Sequence, residues 1–432
     1  MMDKEYDVIV VGSGPGGATV AREMAKNKKK VLLLERGGRI NQVGNTISMA
    51  LMSKRFGLTL SREKGWIVSV HNYGGASMLS AGCAVPPPEI VFGSVGIDLS
   101  DEAEEAREEL WIAKLPDELV GKTNLMVLEA ANDLGYHWGK IDKFIDPSKC
   151  LPDCADCMLG CSRGAKWTSR VYGDEAMDLG ADVVLHTKVK RVITENGKAT
   201  GVEALQWGRP VRYFGKSVVL SAAVGSPIIL KNTGIEEAGK GFTCDWLQFV
   251  GGIVPGLSTY RANPMSVGTL EHYESDGIAI LPVFPGWAAF TMQLLLMGPK
   301  NLPSLINLPR YTGIMVKIRD EVKGEIYADS DFSKPITEQD RKRLKKGTGI
   351  IKRVLKKLGA SDSTIVELDP IGAHPSSTCR IGVVVDKNLQ TKIKNLYVCD
   401  SSVFPQSLGL PVVWTAVSLG KRLSKHLNHQ LY

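Results

Sequence analysis

The sequence predicts an α/β protein, with a Rossmann-like dinucleotide-binding domain interleaved with a smaller α+β substrate domain. Three observations predict this. Tyr6–Val11 is a short, β-branched apolar run that leads into Gly12-Ser13-Gly14-Pro15-Gly16-Gly17 and then a helical pattern over 18–26. That is strand, glycine turn and helix in the order a dinucleotide fold requires. Further buried-strand patterns, Ser217–Ser221 and Leu396–Cys399, lie far downstream, so the dinucleotide sheet is gathered from distant parts of the chain. Between about Gly239 and Asp369 the pattern turns irregular and differs in texture from both ends. The organisation expected is dinucleotide-binding parts at 1–100, 166–238 and 370–432. A helical, Cys-rich insertion falls at 101–165 and a substrate domain at 239–369.

Each element of the first unit has a job. Gly12 permits the tight turn, Gly14 lets backbone approach a pyrophosphate, and Gly17 lets helix and strand pack closely. The helix N-terminus supplies the positive end for phosphate. The strand Val31–Leu34 ends at Glu35, eighteen residues after Gly17, placed to accept hydrogen bonds from ribose hydroxyls. The motif alone leaves NAD and FAD open. Its extreme N-terminal position and the ending Glu35-Arg36-Gly37 favour a flavoprotein. Tyr73-Gly74-Gly75-Ala76-Ser77 suits backbone passing under a flat ring or a diphosphate.

The remaining elements are punctuated by ordinary signals. Ser100–Leu110 starts with a cap residue and acids in its first turn, and Asn124–Leu134 is amphipathic and stopped by Gly135. Val183–Leu185, Val189–Val192 and Gly201–Leu205 read as strands, the last two joined by an Asn196-Gly197 turn. Thr337 with Asp340 caps a helix whose apolar face is Ile351, Val354, Leu355 and Leu358. A closing helix is expected from about Val413 to Leu427.

Composition excludes some functions. The 432 residues can bury a large core, and 44% apolar with 23% charged residues is ordinary for a globular protein. The net charge of +7 comes from scattered lysines, dense only at Lys28–Lys30 and from Arg341 to Lys357. This argues against a nucleic-acid binder and leaves open contact with anionic surfaces. The N-terminus shows no secretory signal pattern, so the expected compartment is the cytoplasm. Ile278–Met297 has twenty residues without a charge, the length of a membrane span, but Pro282, Pro285 and Gly286 interrupt it. A buried or substrate-lining segment is the favoured reading, ahead of a loop dipping into a membrane.

Four of the eight cysteines, Cys150, Cys154, Cys157 and Cys161, fall within twelve positions. Close spacing in a chain without a secretory pattern points to metal ligation rather than disulfides. Zinc sites of four cysteines usually split into two separated pairs. A single compact run of thiolates resembles those that wrap a [4Fe–4S] cluster. The cluster is the favoured reading, with zinc, disulfides and free thiols as alternatives.

Taken together, these pieces resemble the glucose–methanol–choline (GMC) family of flavin oxidoreductases. The resemblance rests on the N-terminal fingerprint, Gly74-Gly75-Ala76-Ser77, and Gly225-Ser226-Pro227 after a strand. It also rests on His374-Pro375-x-x-Thr378-Cys379-Arg380 and the ending from Leu396 to Pro405. The long-chain alcohol oxidases and cholesterol-oxidase-like members, with their Cys-rich segment, are the most similar subgroup. The resemblance implies FAD bound through Gly12, Gly14, Gly17, Glu35, Arg36, Gly75, Ser77, Val189, Asp400 and Pro411. It implies that His374 is the base that takes a hydroxyl proton while hydride passes to the flavin, work suited to a neutral imidazole. The chain departs from the family by being short, by lacking an asparagine near Ser80, and by having Leu410 where a polar active-site residue is usual.

The expected function is a dehydrogenase that oxidises a hydrophobic alcohol and passes electrons through the cluster to a protein or quinone-like acceptor. Two rivals stand beside it: a reductase running from a donor protein into a carbonyl or alkene, and a non-catalytic electron-transfer subunit. A partner subunit and peripheral membrane contact stay open.

Overall fold

The structure, a computed structural model, describes residues 5–431. The chain opens with strand β1 (Glu5–Val11), helix α1 (Pro15–Lys26) and strand β2 (Val31–Leu34), then strands β3 (Ser53–Leu60) and β4 (Trp66–Val70). Past the cysteine segment come α2 (Ser169–Asp178), β5 (Asp182–Val184), β6 (Thr187–Glu195), β7 (Lys198–Gln206) and β8 (Arg209–Leu220). The middle holds β9 (Trp246–Ile253), β10 (Ile278–Pro282), α3 (Trp287–Leu296), β11 (Tyr311–Ile318) and α4 (Glu338–Lys357). Strand β12 (Leu396–Val398) and helix α5 (Val413–Gln430) close the chain.

Two sheets follow. In the first, β5, β2, β1, β8 and β12 lie side by side and parallel, while β7 and β6 extend it antiparallel from the first half of β8. The registers Val8↔Val31, Val8↔Ser217 and Val218↔Leu396 fix the chain order across it. Its central strands are buried on both faces, as parallel strands covered by helices must be, and they are correspondingly almost all Val, Ile and Leu. Helix α1 is buried over most of its length because it packs against both α2 and α5.

The second sheet runs β10, β11, β9, the short strand Ile371–Gly372, β4 and β3. The sequence reading places residues 53–70 with the first dinucleotide-binding part, whereas β3 and β4 are hydrogen-bonded into this second sheet. Local pattern cannot distinguish the two sheets, since strand pairing is decided by partners far away in the chain. Helix α4 covers the sheet, and the Thr337–Asp340 capping box is present in both directions. The apolar segment 278–297 divides into buried β10 and helix α3, and among the described residues no helix is long and apolar enough to cross a membrane.

Candidate active site and cysteine pocket

The glycine fingerprint forms a cradle. Gly12 has φ +105°, and a Cβ there would lie 2.2 Å from the carbonyl oxygen of Ser221, so only glycine fits. A Cβ on Gly17 would lie 2.1 Å from the Gly12 carbonyl oxygen, which is the close strand–helix approach the motif demands. Gly14 differs: nothing lies within 4 Å of its Cβ position, leaving open space at the N-terminus of α1. Gly75 closes one side, since a Cβ on it would come 2.9 Å from Gly14 Cα, and the Gly74 amide donates to Ser13 Oγ at 3.0 Å.

Around this cradle the expected groups assemble. Glu35 is buried at the end of β2, and its carboxylate accepts from the Ser13 amide (3.1 Å), Ser13 Oγ (2.7 Å) and the Gly37 amide (2.7 Å). The Glu35 carbonyl accepts from the Thr187 amide at 2.8 Å, which brings Val189 on β6 beside it. Arg36 is half-buried, and burial lowers the guanidinium's pKa against the pull of Glu35 and Asp329. The hydroxyl of Ser77 is spent on the turn: it donates to the Gly74 carbonyl (2.6 Å) and accepts from the Ser169 amide (3.0 Å). Asp400 likewise braces backbone, accepting from the Ala223 amide (2.8 Å), Ser226 Oγ (2.6 Å) and the Ser402 amide (2.8 Å). Burial pushes its carboxyl up. Pro411 is buried just before α5. Open space at Gly14, converging helix N-terminus and a fixed acid are what a dinucleotide needs, so the residues present fit one.

His374 lies where Ile371–Gly372 leaves the second sheet. Its Nδ1 is 3.0 Å from Asp245 Oδ2, 3.1 Å from the Leu410 carbonyl oxygen and 2.5 Å from Lys317 Nζ. Lys317 Nζ also donates to the Leu410 carbonyl (2.8 Å) and pairs with Asp245 Oδ2 (3.1 Å), both side chains being essentially fully buried. The sequence reading missed both residues. Asp245 adopts φ +49°, a left-handed conformation that Asp tolerates, and this turns its carboxylate under the histidine. Ser407 Oγ (2.6 Å) and the Gly409 amide (2.9 Å) hold the other carboxylate oxygen. A second buried pair, Lys334–Asp320 at 2.7 Å, braces the site, with Asp320 accepting from the Asp245 amide at 2.8 Å.

The tautomer follows from the partners. Asp245 Oδ2 and the Leu410 carbonyl accept only, and the Lys317 ammonium, itself a donor beside Nδ1, has the same two oxygens to donate to, so Nδ1 is assigned as the donor and Nε2 keeps its lone pair. The His374 side chain is 28% exposed, and Nε2 lies on the edge away from these partners. Burial lowers the His374 pKa below its ordinary value and the Lys317 cation lowers it further, against the pull of Asp245. Burial would raise the Asp245 carboxyl, but Lys317, then His374 and Ser407, reverse this and hold it at about 2. Burial likewise lowers Lys317, with Asp245 opposing. The arrangement is a neutral imidazole oriented by a carboxylate, the geometry of a general base. The absent polar side chain at position 410 has a counterpart here. The Leu410 carbonyl, Asp245 and Lys317 supply polar groups from behind the ring, while the Leu410 side chain stays buried.

The four clustered cysteines also come together. Cys150, Cys154, Cys157 and Cys161 line one tight cleft with Ile145 and Lys166. Left-handed conformations at Asp153, Gly160 and Cys161 (φ +51°, +110° and +60°) bend the loop around it. The Lys166 amide donates to Cys161 Sγ at 3.4 Å, and Asn263 Nδ2 to Cys150 Sγ at 3.7 Å. None of the eight cysteines is disulfide-bonded, and among the described residues no three His, Cys, Asp or Glu groups close on a metal-ion site.

With this geometry in place, sequence and structure comparisons identify the lineage. Profiles of the GMC oxidoreductase N- and C-terminal regions match residues 98–252 and 326–420, and a pyridine nucleotide-disulphide oxidoreductase profile matches 6–70. The chain belongs to the GMC oxidoreductase family. It is an FAD-dependent oxidoreductase of that family, with the fold the sequence predicts. An uncharacterised protein of Methanocaldococcus jannaschii is 28% identical over 98% of this chain and 100% of its own length. An uncharacterised GMC-type oxidoreductase of Mycobacterium tuberculosis is 26% identical, the match covering 68% of this chain and 52% of that protein. A long-chain-alcohol oxidase of Arabidopsis thaliana is 23% identical over 98% of this chain and 67% of its own length. Among solved structures, formate oxidase of Aspergillus oryzae superposes with a TM-score of 0.74 at 15% identity, covering both chains completely. Pyridoxine 4-oxidase of Mesorbium loti gives 0.69 at 16%, covering 98% and 99%. These two GMC neighbours share the fold.

Proposed function

We propose that this GMC protein is a dehydrogenase that oxidises a hydrophobic alcohol and passes the electrons through a [4Fe–4S] cluster to a protein or quinone-like acceptor. The observation that carries the reading is His374, held at Nδ1 by Asp245 and the Leu410 carbonyl with Nε2 on the ring's open edge. Bound FAD supplies a two-electron hydride acceptor. The residues of this chain do the rest. Nε2 takes the hydroxyl proton as the C–H hydride leaves, so the alcohol loses two electrons and two hydrogens and becomes a carbonyl. Asp245 stabilises the imidazolium that forms, and Lys317 keeps the resting ring neutral. The buried Leu410 side chain and the apolar run through β10 and α3 favour a hydrophobic substrate. Exposed Trp287 (57%) in α3 and Ile306 (82%) in the segment after it present apolar surface. The long-chain-alcohol oxidases among the relatives point to the same substrate class.

The cysteine cleft supports the onward path. A flavin takes electrons in pairs, whereas a [4Fe–4S] cluster takes them singly, so a dehydrogenase that feeds a one-electron partner has use for both. Four cysteines around one cleft, two of them with N–H donors on their sulfurs, are the donor set such a cluster requires. The test is the composition of anaerobically purified protein. The reading expects about four iron, four sulfide and one FAD per chain. One zinc per chain, or no metal, overturns the cluster. FAD retained in His374→Ala with wild-type flavin reduction by alcohol overturns the base.

A further inference from the structure

Five lysines are buried among the described residues: Lys143, Lys166, Lys317, Lys334 and Lys421. Three have carboxylate partners, namely Lys317 with Asp245 (3.1 Å), Lys334 with Asp320 (2.7 Å) and Lys421 with Glu109 (3.0 Å). The other two have only backbone carbonyls. Lys143 Nζ, fully buried, donates to the carbonyls of Ala81 (2.7 Å) and Pro264 (2.5 Å). Lys166 Nζ donates to those of Ser77 (3.2 Å), Met78 (2.9 Å), Ser80 (2.8 Å) and Cys157 (2.6 Å). Lys166 lines the cysteine cleft, with its amide on Cys161 Sγ at 3.4 Å, and Lys143 lies two residues before Ile145, which lines the same cleft.

A buried ammonium with no counter-ion is costly, and two near each other repel as well. Natural proteins bury lysine only with a partner, and here the three other cases obey that rule. An anion held in the cleft, which Lys166 lines, would supply the missing counter-charge. Four thiolates (4−) around a [4Fe–4S]²⁺ core carry a net charge of 2−, equal and opposite to two ammonium groups.

We propose that Lys143 and Lys166 are the built-in counter-cations of a dianionic iron–sulfur–thiolate group in the cysteine cleft, and that they set its reduction potential. The inference rests on the cluster reading above and goes beyond it. One-electron reduction takes the group from 2− to 3− with no proton required, and fixed nearby cations favour the more negative state. The pair therefore raises the potential and draws electrons from reduced flavin. Lys166 has a second role by placement. It ties the Cys157 carbonyl to the carbonyls of Ser77, Met78 and Ser80, in the turn that continues from the Gly74-Gly75 cradle. One side chain thus braces the cysteine loop against the dinucleotide site.

The experiment uses full-length holoenzyme, purified anaerobically, as wild type, Lys143→Met, Lys166→Met and the double variant. Iron, sulfide and FAD are counted, and the cluster potential is read by EPR-monitored redox titration. Each single variant should keep FAD and titrate at a lower potential than wild type, and the double variant lower still. Variants with full clusters at the wild-type potential overturn the inference and leave the cluster reading standing. Wild type without iron removes the cluster reading at the first step, before any variant is compared. If Lys166→Met does not fold, Lys143→Met alone decides the matter.

Discussion

The sharpest consequence of the site is what replacing Asp245 by Asn should do. The change keeps shape and removes one charge. Ser407 Oγ (2.6 Å) and the Gly409 amide (2.9 Å) can still donate to the amide oxygen, so the side chain stays in place. Its other end then presents N–H groups to His374 Nδ1 and to Lys317, where a carboxylate oxygen stood at 3.0 and 3.1 Å. Lys317, 1% exposed, loses the carboxylate it pairs with. Breaking one side of a buried pair costs about 3–5 kcal/mol, with deprotonation of Lys317 offsetting part of it. Nδ1 then faces two donors, the new amide and Lys317, against the Leu410 carbonyl alone, which favours moving the ring proton to Nε2 and removing the lone pair that takes the substrate proton. Losing a general base costs about 10²–10⁴ in the chemical step. The assay is anaerobic stopped-flow bleaching of the flavin by a long-chain primary alcohol, with thermal unfolding of the same holoprotein. Bleaching within threefold of wild type at an unchanged unfolding midpoint would refute the reasoning.

Other outcomes follow from the same geometry. Lys317→Met removes a cation that, after burial, holds the His374 pKa down; the acid limb of kcat/KM should move to higher pH, the neutral base being harder to keep. Asp245 is held at about 2 against an ordinary 3.8, so it stabilises the fold above about pH 4, by about 2 kcal/mol. That contribution should fade between about pH 4 and 2 in acid unfolding of the wild type and be missing from Asp245→Asn. Gly14→Val should fold normally, having nothing within 4 Å to meet, yet lose FAD because its side chain fills the cradle. Gly12→Val should instead lose stability, its Cβ falling 2.2 Å from the Ser221 carbonyl oxygen at φ +105°, a change that flavin added during refolding does not rescue.

The dinucleotide unit was legible because its signals are local: glycines at fixed spacing, a β-branched strand before them and an acid after the next strand. His374 was legible through the motif around it. Its partners were not. Asp245 is one of 46 acidic residues and sits beside His374 only because β9 begins next to Ile371–Gly372. Lys317 left a trace, a lone charge within Tyr311–Ile318, all eight residues of which are buried. A charge in a central strand needs a buried counter-charge, and that alone directs a search for Asp245. Lys143 gave no such signal in its two-residue strand, and Lys166 stood out only as the end of the cysteine segment. The Ser77 hydroxyl also accepts from the Ser169 amide and the Asp400 carboxylate from the Ala223 amide, contacts with distant segments that local pattern does not show.

The most direct test is to mix a long-chain primary alcohol with anaerobic holoenzyme and follow flavin absorbance and low-temperature EPR together. The account predicts flavin bleaching accompanied by the signal of a reduced [4Fe–4S] cluster, lost in both channels with His374→Ala. Bleaching without any EPR signal, in protein whose cluster dithionite reduces, would contradict the path from flavin to the cysteine cleft.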